Sequence, residues 1–175
     1  MIMEAIGVRF AVHDRERFAN LQTLFGALKN DKDAGAFRDP EAWKSLVPDD
    51  VKPKFTWPSE ESRKAYLAHR PPIIIGEPSD QLGAVWDFYR VFESVEEAEY
   101  ELLACELVDS ETAEMRINPS AYPYGGIGPF IALAEAYGFR ILGVNEYGKY
   151  QSREELIGEK VKTVSLREKP WWQFW

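Results

Sequence analysis

Cysteine is almost missing from this 175-residue chain, where Cys105 stands alone. A single thiol excludes an intrachain disulfide and any zinc site built on cysteine pairs. The setting Leu102-Leu103-Ala104-Cys105-Glu106-Leu107 marks it as a small apolar residue rather than a nucleophile. Histidine is scarce too: only His13 and His69 occur, with no second histidine at helical spacing, so no metal is expected. Asp31-Lys32-Asp33-Ala34-Gly35 resembles the start of a calcium loop, but position six is Ala36 and position twelve Ala42, where glycine and glutamate are needed.

Clustered basic charge is also absent. The net charge is −8, from 21 Lys and Arg against 29 Asp and Glu, which argues against a phosphate-backbone binder and so against nucleic acid as a partner. Apolar runs fall far short of the roughly 20 residues a membrane helix needs. Glu4 and Arg9 interrupt the first twelve residues, so no secretory leader is expected, and a cytoplasmic location follows. Neither a P-loop nor a dinucleotide fingerprint occurs, so no cofactor is expected. No nucleophile with an identifiable base appears, and catalytic residues stay unassigned.

What the chain does hold is a set of patterned segments. Ile6, Val8, Phe10 and Val12 alternate with Gly7, Arg9 and Ala11, the period of a half-buried strand. Asp14 is placed to cap a helix over 15–28, in which Phe18, Leu21, Phe25 and Leu28 share a face. Residues 30–58 form a long connection punctuated by Pro40, Pro48, Pro53 and Pro58, with a short helix at 41–47. Trp43, Phe55 and Trp57 imply that it packs on the body. Pro58 starts a further helix that must end by Arg70, ahead of Pro71-Pro72.

Ile73-Ile74-Ile75 is too short to classify. Residues 84–92 read as a strand with Trp86, Phe88 and Phe92 on one face, and Ser94-x-x-Glu97 as a capping box that opens a helix. Residues 100–107 and 112–117 flank a polar turn as a hairpin. Then comes Tyr122-Pro123-Tyr124-Gly125-Gly126-Ile127-Gly128-Pro129, a glycine corner that enters a helix over 130–137, closed by Gly138. A strand at 141–144, a short helix at 152–157 and a strand at 161–166 complete the reading. The expected fold is a single α+β domain spanning residues 1–175. It has a mixed, largely antiparallel sheet of about five strands, helices packed on it, and a strand-loop-helix-strand crossover near 112–145.

Two features stand out as functional candidates. The glycine corner offers backbone N–H groups and two phenols, and a polar strand end lies next to it in the order of elements. Tyr122, Tyr124, Gly125, Gly126, Gly128, Asn145, Glu146 and Lys149 are the candidate ligand-binding residues. The other is the aromatic tail at 169–175, where Trp171, Trp172, Phe174 and Trp175 supply an interaction surface or fold back on the core. The expected function is a protein-binding or self-associating module. The alternative is an enzyme or small-molecule sensor with its pocket at the glycine corner.

Overall fold

A computed structural model describes residues 5–69, 81–120, 126–146 and 148–159, without the side chains of Tyr66 and Leu67. Alternation places the first strand as expected. β1 (Ile6–Ala11) buries Ile6, Val8 and Phe10 completely or nearly so. The helix that follows, α1 (Arg15–Ala34), starts where Asp14 Oδ1 accepts the N–H groups of Glu16 and Arg17, both at 3.0 Å. It runs past Leu28 to Gly35. Asp31 and Lys32, which look like solvent residues, have partners on other segments that extend the helix.

The strands β2 (Tyr100–Leu107), β3 (Thr112–Pro119), β4 (Arg140–Glu146) and β5 (Lys149–Ser152) join β1 in one sheet of order β2-β3-β1-β4-β5. Every neighbouring pair is antiparallel. Because β1 opposes both of its neighbours, β3 and β4 run parallel to each other on either side of it. The helix between them, α5 (Gly128–Ala136), therefore crosses over β1. By the same logic β1 and β2 are parallel with β3 between them. The two interlocked split crossovers give the β-α-β-β-α-β order of the ferredoxin-like layout, with β5 added beside β4.

The first crossover carries a large insertion between α1 and β2. It contains α2 (Pro40–Leu46), a 3-10 turn (Lys52–Lys54), α3 (Glu60–His69) and α4 (Phe88–Glu97). This arm has its own aromatic stack: Trp43 lies on Phe92 with ring centroids 5.0 Å apart, and Trp57 on Phe88 at 4.4 Å. The stack joins the sheet and its helices in one continuous core. Trp43 and Phe55 are buried, so the proline-rich connection does pack on the body.

Four sequence expectations change. The strand read over 84–92 is instead the start of α4. Asp87 Oδ1 accepts from Tyr89 N at 2.8 Å and Arg90 N at 3.1 Å, and Phe88, Val91, Phe92 and Val95 recur on a helical face. Two pairs of aromatics two and four apart imitated a strand. Ser94 accordingly sits inside α4, buried, and Glu97 is its last residue, so the capping-box reading fails. The strand read at 141–144 extends to Glu146, which pairs with Lys149 of β5. Pro58 precedes α3 rather than entering it, and the Ser59 hydroxyl takes the capping role by accepting Ser62 N–H at 3.1 Å. The short helix near the end is present at 153–159 as α6. Ile73–Ile75, the strand read at 161–166 and the aromatic tail with Trp171, Trp172, Phe174 and Trp175 lie outside the described residues.

α5 has no solvent face. All of its residues are buried except Glu135, which is half-buried. The sheet covers one side and the arm the other, the arrangement in which an apolar helix is stable. Its end is a Schellman closure, with Gly138 N–H on Glu135 O and Phe139 N–H on Ala134 O, both at 2.9 Å.

Candidate functional site

The glycine corner leads directly to α5, and its described half is used for packing. A Cβ on Gly128 would lie 2.6 Å from the Trp86 ring and 2.7 Å from Gln81 Oε1, so the arm sits against bare backbone there. Pro129 has no N–H, and those of Phe130 and Ile131 turn back to Ile127 O at 3.0 and 3.2 Å. Gly126 adopts the left-handed conformation, φ 78°. Tyr122, Tyr124 and Gly125 lie outside the described residues. The polar strand end is a hairpin: Asn145 pairs with Tyr150 and Glu146 with Lys149 across β4 and β5, and Gly7 opposes Asn145 on the other side. Asn145 and Glu146 are half-buried, whereas Lys149 is exposed.

On the outer face of the sheet, polar groups answer one another. Arg9 Nε donates to Glu114 Oε1 at 2.9 Å, and the Glu114 carboxyl lies flat over Gly7, where a Cβ would meet it at 2.6 Å. Arg9 also sits over the Tyr150 ring, Arg116 pairs with Glu106, and Asn118 donates to Glu101. Cys105 is half-buried, and burial, followed by the Glu106 charge, pushes its thiol up to about 12, far from a thiolate at neutral pH. Among the described residues, no three His, Cys, Asp or Glu side chains converge as metal ligands would.

The arm contains a different arrangement. α3 and α4 leave a cavity of about 340 Å³ lined by Pro58, Ser62, Arg63, Asp87, Tyr89, Arg90 and Glu93. Its volume is within the range of small-molecule sites. The Arg63 guanidinium lies 4.2 Å above the Tyr89 ring. Tyr89 is held in turn, its hydroxyl donating to Glu41 Oε1 at 2.9 Å. Burial, then that bond to Glu41, raises the phenol's pKa, so it stays protonated and donates.

What sets the cavity apart is that Arg63 and Glu93 are not closed on each other. Arg63 Nε is shielded from solvent and has no hydrogen-bond partner among the described residues. Arg63 Nη2 reaches Glu93 Oε1 only at 4.0 Å, too long for a hydrogen bond. Burial raises the Glu93 pKa, against the opposing pull of Arg63 and Arg90. A buried unmet donor costs about 1–3 kcal/mol.

Two other concavities are better satisfied. In one, of about 370 Å³, Glu135 accepts Gly83 N–H at 2.8 Å and faces Arg153 at 4.0 Å. Beside the other, of about 670 Å³, Lys32 Nζ donates to Val95 O at 2.7 Å and Ala98 O at 2.8 Å.

Sequence reasoning did not reach Arg63, Tyr89 or Glu93. The one available signal was Asp87 ahead of a 3.6-residue apolar period, which would have made 88–97 a helix and put Tyr89, Arg90 and Glu93 on its outer side. No family model matches the chain, and no curated protein or solved structure does so either.

Proposed function

We propose that the protein binds a small polar molecule in the cleft between α3 and α4, acting as a small-molecule-binding or sensing protein. One observation carries this reading: a ligand-sized cavity is lined by Arg63, Tyr89 and Glu93, and Arg63 Nη2 and Glu93 Oε1 stand 4.0 Å apart there, too far for a hydrogen bond. The alternative position at the glycine corner is less favoured, because Pro129 offers no N–H and Trp86 fills the space at Gly128.

The test is amide chemical-shift mapping on the full chain with a library of small carboxylates, amines and amides. Shifts focused on Ser62, Arg63, Tyr89, Arg90 and Glu93, and lost in Arg63→Gln, are expected. A library that moves none of these amides refutes the reading.

Self-association is a second reading, favoured by a separate observation. β2 is a sheet edge, and Leu103, Leu107 and Val108 are exposed along it and its turn. A cytoplasmic setting and a protein partner at the aromatic tail belong to the same proposal. Light scattering on wild type, Leu107→Lys and a chain lacking residues 171–175 tests it: a dimer lost in either variant supports association, and a wild-type monomer at all concentrations removes self-association.

A further inference from the structure

We propose that the ligand of the α3–α4 cleft is a free α-amino acid, bound as the zwitterion with its carboxylate on the Arg63 guanidinium and its ammonium on Glu93. This rests on the reading of that cleft as the ligand site.

The argument begins with charge. The cleft carries two guanidinium groups, Arg63 and Arg90, and two carboxylates, Asp87 and Glu93. Among the described residues its formal charge is therefore balanced, in a chain whose net charge is −8. A polyphosphate needs an excess of cations, and the described lining supplies none. Asp87 is spent on the N-terminus of α4, through its bonds to Tyr89 N–H and Arg90 N–H. Of the charged groups that remain beside Arg90, Arg63 of α3 and Glu93 of α4 stand within 4.0 Å of each other, the pair to which a ligand's two charges can turn.

Chemistry then narrows the class. The Arg63 guanidinium and the Glu93 carboxylate both line the cavity, with Nη2 and Oε1 at 4.0 Å, too far for a hydrogen bond. A simple carboxylate would satisfy the first and add repulsion at the second. A simple amine would do the reverse. A molecule with both charges on one carbon answers both at once, and the 4.0 Å between Arg63 Nη2 and Glu93 Oε1 leaves its two groups close to both residues. Burying each ligand charge against an opposite one also offsets the desolvation that either would suffer alone.

Size and preorganisation agree. About 340 Å³ leaves room for a side chain, and the Pro58 ring and the Tyr89 ring provide apolar surface for it. Apolar amino acids should bind better than charged ones. Arg63 is already stacked on Tyr89, and Tyr89 is anchored to Glu41, so part of the ordering cost is met before binding.

The decisive experiment is titration calorimetry on the full chain with each common L-amino acid, followed by the N-acetyl and carboxamide derivatives of the tightest binder. Each derivative removes one charge and should lower affinity about tenfold or more, which is 1.4 kcal/mol. Arg63→Gln and Glu93→Gln should do the same. If a variant fails to fold by amide spectrum, the derivative comparison on the wild-type chain decides alone.

Blocked derivatives that bind as tightly as the parent overturn the amino-acid assignment. Binding by small molecules of another class at the mapped amides, with none by amino acids, also overturns it but leaves the cleft as the site. Silence at those amides for every compound removes both.

Discussion

Two arginine–carboxylate pairs involve the arm, one closed and one open. Arg38 grips Asp31 with two bonds of 2.7 Å, and its backbone N–H adds a third at 3.0 Å. Arg63 and Glu93 stand 4.0 Å apart, and Arg63 Nε touches no acceptor. Both arginines also lie over an aromatic ring, Trp43 for Arg38 and Tyr89 for Arg63. The first pair is complete and ties the end of α1 to the arm. The second has the same parts left open. In the proposed reading, the difference separates an ion pair that supports the fold from one that serves binding.

Breaking the closed pair should have the largest effect on stability. Asp31→Asn is expected to lose about 2–3 kcal/mol in urea unfolding at pH 7, since charge-assisted bonds of this kind carry that much. Arg38 holds the Asp31 carboxyl below its ordinary range. A depressed carboxyl stabilises fully above its unfolded value, near pH 4, and the contribution disappears as pH falls through the folded value. The gap between wild type and variant should therefore narrow in acid. A constant gap from pH 7 down to acid would mean that Asp31 acts through packing instead.

Lys32→Met comes next. Lys32 Nζ donates to the carbonyls of Val95 and Ala98 and so closes the C-terminal end of α4 from α1. A loss of about 1–2 kcal/mol is expected in the same assay, with faster hydrogen exchange at the end of α4.

The open pair should respond with the opposite sign. Arg63, Arg90, Asp87 and Glu97 all act on Glu93, and burial outweighs the two arginines to raise its pKa. A raised carboxyl favours the folded state at low pH and loses that advantage as pH rises through the folded value. Glu93→Gln should then leave the ligand-free protein unchanged or stabilise it by up to about 1 kcal/mol at pH 7 while weakening ligand binding. A clear thermal destabilisation would place Glu93 with Asp31, among the groups that hold the fold.

The smallest effect provides the control. Among the described residues, the Tyr137 hydroxyl is buried without a hydrogen-bond partner, like Arg63 Nε, and Tyr137 is not part of the α3–α4 cleft lining. Tyr137→Phe should raise the melting temperature slightly, for a gain of a few tenths of a kcal/mol to about 1, and leave ligand binding untouched.

Local pattern made much of the frame legible. Alternation from Ile6 to Phe10, the Asp14 cap and the hairpin around residues 108–111 all produced the elements expected. Position 129 did mark the entry to a buried helix. α4 was obscured because Trp86 and Phe88 sit two apart at a helix start, where one residue belongs to the loop and the other to the first turn. β5 is four residues of mixed polarity, and only its pairing with β4 defines it. The cleft was out of reach for another reason. Arg63 and Glu93 belong to separate helices, neither forms a motif, and each alone looks like a solvent-facing charge. Their meaning comes from tertiary proximity, which a one-dimensional pattern does not encode.

The unbroken apolar surface of α5 has a consequence for how the chain comes into existence. During synthesis the arm emerges before α5, and the apolar faces that receive this helix stay uncovered until residue 136 is available. Neither the sheet nor the arm is finished without it, because β4 follows it and α4 rests on it. The arm is thus no detachable ornament inserted in a crossover. Excising it would strand a greasy cylinder on the outside of the molecule, and the resulting chain should precipitate before its binding could be measured.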